Sequence, residues 1–224
     1  MKTRIPLIPL FALFVATIVV AVGLTKSGVA GQPPSAMRAD DDDHRFRLTS
    51  TTFQKGTVLP SLMISNISIG SVCVGQNTSP ELSWTDAPRG TKSFVVTLFD
   101  TTAAFTHWAV YNIPASTTSL AENAGANQNL STPFGDQTVN DLGLPGYIGP
   151  CPPSGLVHNY EFTVFALDKE HLDLPSAVGF PPDAETLYRA MFDHVIDRAN
   201  YSGVFSCPAD SSFSVSPSPT GTCS

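Results

Sequence analysis

The sequence predicts a mainly β fold with one or two helices packed on an end, and three observations predict it. Three short runs rich in β-branched and aromatic residues, Ser93–Phe99, Thr106–Ile113 and Tyr160–Leu167, have the length of ordinary strands. Clusters of Pro, Gly and Asn separate them. Convincing helical spacing occurs late in the chain, and only there. The 224 residues suit one domain of ordinary size with appendages, and 19 Pro with 16 Gly is close enough to average usage to exclude a collagen-like or wholly disordered chain.

Met1-Lys2-Thr3-Arg4 supplies a positive start, and Ile5 to Leu24 then runs without a charge to the small residues Ser27-Gly28-Val29-Ala30. This is the pattern of a secretory signal peptide cut after Ala30. The apolar run exceeds the ~7–15 residues of a usual signal core and matches the ~20 that span a bilayer, so an uncleaved N-terminal anchor is the competing reading of residues 1–30. Either way the globular part is expected outside the cytoplasm, periplasmic or extracellular. Residues 31–45, with Pro33-Pro34 and Asp40-Asp41-Asp42-Asp43, read as an acidic linker rather than a calcium site, because adjacent like charges repel and no further oxygen ligands stand nearby.

Strand patterning begins near Phe46, with Ser65–Gly70 a weaker candidate before the three main runs. Pro181-Pro182-Asp183 reads as a stop followed by an N-cap. Leu187, Ala190, Met191, His194, Val195 and Arg198 then recur at helical spacing to Asn200. That placement makes His194 a packed histidine on an apolar helix face. Residues 207–224, rich in Ser, Pro and Thr, read as an irregular tail.

The net charge is -7, from 12 Lys and Arg against 19 Asp and Glu, and Lys2, Arg4 and Lys26 fall in the segment expected to be removed. No cluster of Lys or Arg stands ready to neutralise phosphates in a row, which argues against a nucleic-acid partner. Four cysteines, Cys73, Cys151, Cys207 and Cys223, are an even number in an exported chain, and the sequence alone leaves three disulfide connectivities open.

The chemistry concentrates around residues 140–155, where half the residues are Gly or Pro. Such a segment is neither helix nor central strand, and a rigid loop on a β scaffold often carries function. Strict alternation along the second run puts His107, Ala109, Tyr111 and Ile113 on one face and Trp108, Val110 and Asn112 on the other. His158, Tyr160 and Phe162 share a face of the third run. Asp100 closes the first run, so one carboxylate and two imidazoles are expected to converge beside the Gly/Pro loop.

Asn77-Thr78-Ser79-Pro80-Glu81-Leu82-Ser83-Trp84, Thr106-His107-Trp108, Tyr111-Asn112-Ile113-Pro114-Ala115, Gly149-Pro150-Cys151-Pro152-Pro153 and His158-Asn159-Tyr160 resemble the phosphatidylethanolamine-binding protein family. The resemblance is to its bacterial branch described as Raf kinase inhibitor-like, and it covers about residues 46–206. It implies a central antiparallel sheet, a smaller second sheet and C-terminal helices, with a pocket for small anions and phosphorylated head groups. Carried over by motif, the pocket uses Asp100, His107, Gly149, Pro150, Cys151, Pro152, Pro153, His158 and Tyr160. The family usually reads Asp-Pro-Asp-Ala-Pro where this chain reads Asp100-Thr101-Thr102-Ala103-Ala104. The missing carboxylate and prolines predict a less acidic, less rigid rim and argue against recognition of a cationic amine. Cys73 and Cys151 sit beside family motifs and are expected to pair, leaving Cys207 with Cys223 across the tail.

Competing readings of the same residues are structural. Two His and an Asp also suit a metal triad, but the resemblance implies no metal or other cofactor. Cys151 with His158 suits a nucleophile and base, but a cysteine in an exported chain is more often half of a disulfide. No Gly-x-Ser-x-Gly elbow is present. The sequence therefore predicts an exported binding protein for a small anionic or phosphate-bearing ligand. The alternatives are an interaction module that inhibits a protease or kinase and, behind it, a hydrolase using the histidine cluster.

Overall fold

The computed structural model describes residues 45–67, 73–126, 129–175 and 181–207, with the backbone of 222–223. The expected signal peptide or anchor, the linker up to residue 44 and most of the tail lie outside the described residues. Among the described residues no helix is long and apolar enough to cross a membrane.

Eleven strands are described: β1 (Arg47–Thr49), β2 (Cys73–Val74), β3 (Leu82–Thr85), β4 (Ser93–Asp100), β5 (Phe105–Pro114), β6 (Ser119–Leu120), β7 (Ser131–Thr132), β8 (Gly135–Gln137), β9 (Val157–Leu167), β10 (Val195–Ser206) and β11 (Thr222–Cys223). They form a six-stranded antiparallel sheet in the order β10-β9-β4-β5-β8-β7, a three-stranded sheet β1-β3-β6 and a pair β11-β2. β4 is buried at seven of its eight positions. A central strand covered on both faces reads as a continuous apolar run rather than an alternation, as Ser93–Phe99 does.

The two faces of the large sheet have separate cores. Phe94, Val96 and Leu98 join Trp108, Val110 and Ile113 with Tyr160, Phe162 and Val164 on one side, capped by Phe46, which precedes β1, and by Trp84 of β3. Val95, Ala109, Tyr111, Phe165 and Leu167 pack on the other side against Leu187 and Met191 of the helix α1 (Ala184–Met191). Each fully buried side chain of this size contributes roughly 1.5–3 kcal/mol relative to exposure.

The faces expected along the second run are corrected by two irregularities. Leu98 pairs with Trp108 and Phe99 with Thr106, so His107 is an extra residue in β5. A bulge of this kind turns consecutive side chains to one face. His107 therefore lies on the Trp108 side, near Tyr160, and not with Ala109 and Tyr111. A second shift between Phe94 and Val96, with Asn112 at φ 56°, brings Ile113 back to the Val110 face.

The late helix is shorter than its spacing predicts. Asp183 caps it as expected, its side chain accepting from Thr186 N at 2.8 Å, a bond that holds this carboxyl below the usual carboxylate range. α1 ends at Met191, a 3-10 turn covers Phe192–His194, and Val195–Ser206 is strand. Residues 197–206 pair in register with β9, and this ladder satisfies more backbone groups than a third helical turn. His194 consequently leaves the apolar face and meets Asp168 with Nδ1 2.9 Å from Oδ1, its side chain 34% exposed. Ser65–Ile67 is not strand, and the rest of that weaker candidate lies outside the described residues.

Cys73 and Cys151 are joined in a disulfide, and Cys207 is disulfide-bonded as well. Cys223 has its backbone opposite Cys73 in the β11–β2 pair. Its side chain, and so the expected Cys207–Cys223 pairing, lies outside what is described.

Candidate functional site

The carboxyl end of β4 and the starts of β5 and β9 meet at one end of the large sheet, where the register sets Asp100 opposite both Phe105 and Tyr160. A cavity of about 140 Å³ opens there. Asp100, His107, His158 and Tyr160 line it from the strands, and Gly149, Cys151, Pro152 and Pro153 from the Gly/Pro loop. Pro150 stands behind the wall, its carbonyl accepting from Ser65 N at 3.1 Å. Ala103, Phe105, Leu142 and Ile148 complete the lining. These apolar residues carry no chemical signal of their own, although Phe105, two before His107 on the strand and 4.8 Å from it between ring centroids, is legible by alternation.

The loop is tied down on several sides. Gly149 N donates to Asn77 Oδ1 at 2.8 Å, and Asn77 Nδ2 donates to Tyr147 O at 3.3 Å, so one side chain brackets Ile148. The Tyr147 hydroxyl donates to Met63 O at 2.8 Å. A Cβ on Gly149 would lie 2.2 Å from Met63 O and 2.5 Å from Ser65 N. Only glycine lets the loop backbone approach that segment so closely.

The two imidazoles are held differently. Ile148 N donates to His107 O at 3.1 Å, and His107 Nδ1–H donates in return to Ile148 O at 2.8 Å. A carbonyl only accepts, so the proton of the neutral ring is fixed on Nδ1. Burial pushes the His107 pKa down, although the Ile148 bond and the Asp100 charge oppose it. His158 Nδ1 lies 2.6 Å from Asp100 Oδ2, and the other carboxylate oxygen accepts from Thr102 N at 2.9 Å and Ala103 N at 3.0 Å. The side-chain exposures of this pair are only 9% and 4%. Tyr160 stands between the imidazoles, its ring centroid 5.4 Å from His107 and 6.4 Å from His158. Burial, and after it the Asp100 charge, push its pKa far up, so the phenol keeps its proton.

The rim, which lacks the prolines of the family pattern, is tied by hydrogen bonds. Thr102 Oγ1 accepts from Asn159 N at 3.0 Å, Thr101 Oγ1 accepts from Asn159 Nδ2 at 2.9 Å, and Thr101 N donates to Asn159 O at 2.9 Å. Threonine hydroxyls supply by hydrogen bonding the restraint that the absent prolines would supply covalently.

Among the described residues no group of three or more His, Cys, Asp or Glu has metal-binding geometry. A larger, shallower groove of about 710 Å³ lies on the opposite sheet face, between Phe99, Thr106 and α1. Its Glu185 and Arg189 engage each other and its Asp141 accepts from Thr106 N, so its polar groups do not converge on a ligand. The smaller cavity is the candidate site, since its imidazoles and carboxylate face one space.

The sequence profile described as phosphatidylethanolamine-binding protein matches residues 49–206. UPF0098 protein YbcL of Escherichia coli is 41% identical over 137 residues, which are 58% of this chain and 73% of the relative. UPF0098 protein YbhB of the same organism is 42% identical over 134 residues, 58% of this chain and 82% of the relative. The crystal structure of YbcL, described as a new member of the mammalian PEBP family, superposes with a TM-score of 0.63 at 34% identity, covering 72% of this chain and 98% of that one. That of the Chlamydia trachomatis homologue CT736, described as a putative phosphatidylethanolamine-binding protein homologue, gives 0.56 at 30% identity over 72% and 97%.

Proposed function

The chain belongs to the phosphatidylethanolamine-binding protein family, and on that premise we propose an exported binding protein whose cavity takes a small phosphate-bearing or otherwise anionic ligand. One observation carries the reading: a half-open cavity whose two imidazoles each have Nδ1 already engaged, by Ile148 O and by Asp100. Nε2 is then the nitrogen left to each ring for a ligand. It accepts when the ring is neutral and donates when the ring is charged. An anion therefore binds best when it brings a proton onto Nε2, and at His158 the other ring nitrogen stays against the Asp100 carboxylate. At ~30 Å³ per water, the cavity holds a few waters or a head-group-sized fragment, not a whole lipid. The chain has one carboxylate where the family usually has two on the rim, which favours a ligand recognised by its anionic part.

The test is calorimetric titration with dimethyl phosphate, a diester without a second ionisation of its own. Affinity is expected to rise as pH falls below the ordinary imidazole value of ~6.5, since binding must put a proton on the buried His107. A lost hydrogen bond to a charged group costs roughly 1.5–3 kcal/mol, so His158→Ala is expected to weaken binding about ten- to a hundredfold. Equal affinity in the two proteins refutes the reading. Turnover of a phosphate ester abolished by His158→Ala would support a hydrolase in its place. Export is tested separately, by N-terminal sequencing of secreted material, with Gly31 as the expected first residue.

A further inference from the structure

Cys151 is half-buried in the cavity wall, and its disulfide partner Cys73 lies behind it, 3% exposed. The Cys73 sulfur is also 3.7 Å from the sulfur of Cys207, which is 1% exposed and belongs to another disulfide. Three sulfurs from two disulfides thus run in a line of contact from the cavity into the core. Cys151 is the member of this line that a molecule in the cavity meets. Exchange proceeds by attack of a thiolate on a disulfide sulfur, and access decides which sulfur is attacked.

We infer that the cavity wall is a thiol-exchange site, at which a small-molecule thiol attacks Cys151 and the exchange passes through Cys73 to Cys207. In the first step the entering thiolate bonds to Cys151 Sγ, the Cys73–Cys151 bond breaks, and its electron pair leaves on Cys73. In the second, the Cys73 thiolate bonds to Cys207 Sγ, the disulfide of Cys207 breaks, and its former partner leaves as a thiolate. Two disulfides are consumed and two form, one of them the adduct on Cys151, so the entering thiol is the only co-reactant. Thiolates in apolar surroundings are more basic, and nucleophilicity rises with basicity. Cys73 sits in the main apolar core with Cys207 as its neighbour, so the thiolate released on it is a strong nucleophile with a disulfide sulfur at hand.

The experiment treats the oxidised full chain with 2-mercaptoethanol for graded times, followed by acid quench, alkylation and peptide mapping without reduction. The expected first product carries mercaptoethanol on Cys151 and, in the same molecules, a new Cys73–Cys207 bond. A Cys207→Ala, Cys223→Ala double variant is expected to stop one step earlier, with the Cys151 adduct and an alkylated Cys73. A first adduct on any other cysteine overturns the inference. So does an alkylated Cys73 in the wild type without a Cys73–Cys207 bond. Only one arm rests on the anion reading: saturating dimethyl phosphate is expected to slow the adduct on Cys151 several-fold. An adduct and relay indifferent to that diester support the exchange site and count against the anion pocket.

Discussion

Replacing Asp100 by Asn separates the electrostatic role of this residue from its structural one. In the wild type one carboxylate oxygen serves the turn, accepting from Thr102 N and Ala103 N, while the other faces His158 Nδ1 at 2.6 Å. Asparagine keeps a carbonyl oxygen for the turn and turns its NH₂ toward His158. A bond to a charged group, worth roughly 1.5–3 kcal/mol, is exchanged for a neutral one worth about 0.5–1.5 kcal/mol. The net loss is about 1–2 kcal/mol, which at about 2–4 °C per kcal/mol for a chain of this size lowers Tm by roughly 2–8 °C. Because an amide NH₂ only donates, the neutral His158 ring must move its proton from Nδ1 to Nε2. The cavity then gains a neutral donor, and the dependence of anion affinity on pH is expected to flatten. Scanning calorimetry gives the Tm, and nitrogen-15 NMR of the imidazole gives the tautomer. A His158 ring that stays protonated on Nδ1 in the variant, or an unchanged Tm, would refute the argument. Asp100→Ala also removes the turn acceptor and is expected to cost more than Asp100→Asn.

The depressed pKa of His107 makes a second prediction, on stability against pH. The unfolded chain takes up a proton near ~6.5 that the folded chain refuses until lower pH, so stability is full above that value and is lost as pH falls toward the folded pKa. His107→Gln is expected to reduce the slope of unfolding free energy by up to about 1.4 kcal/mol per pH unit in that window, measured by urea titrations at successive pH values; an unaltered slope speaks against it. Gly149→Ala sets a methyl against backbone on two sides, at 2.2 Å from Met63 O and 2.5 Å from Ser65 N. It is expected to destabilise by about 1–3 kcal/mol and to weaken dimethyl phosphate binding through movement of the loop. A variant with wild-type stability and affinity would mean that this close approach does not shape the cavity.

Family motifs made most of the cavity legible in advance, since Asp100, His107, His158 and Tyr160 and the Gly149–Pro153 loop each stand in a recognisable local pattern. Eight of those nine residues line the cavity, while Pro150 anchors the loop from behind. Ala103, Leu142 and Ile148 were not legible, because an apolar side chain in a cavity wall has the same local sequence as one in the core. The Thr101 and Thr102 bonds to Asn159 were hidden for another reason: they join positions 57 and 58 residues apart.

What the sequence by itself determined is whatever rests on local preference. The burial of β4 and β9 follows from their runs of β-branched and aromatic residues, and the start of α1 follows from Asp183. The impossibility of regular structure between residues 140 and 155 follows from Gly and Pro. What the tertiary structure alone decided is whatever local preference left nearly balanced. Residues 195–200 have helical spacing and strand-forming members at once, and the ladder to β9 settles them as strand. His107 has no local reason to leave the alternation of its strand. It does so because β4 and β5 are out of register by one residue at Leu98 and Phe99. Local energies per residue are small beside the hydrogen bonds and buried area of a paired strand, so the pairing decides where the two compete.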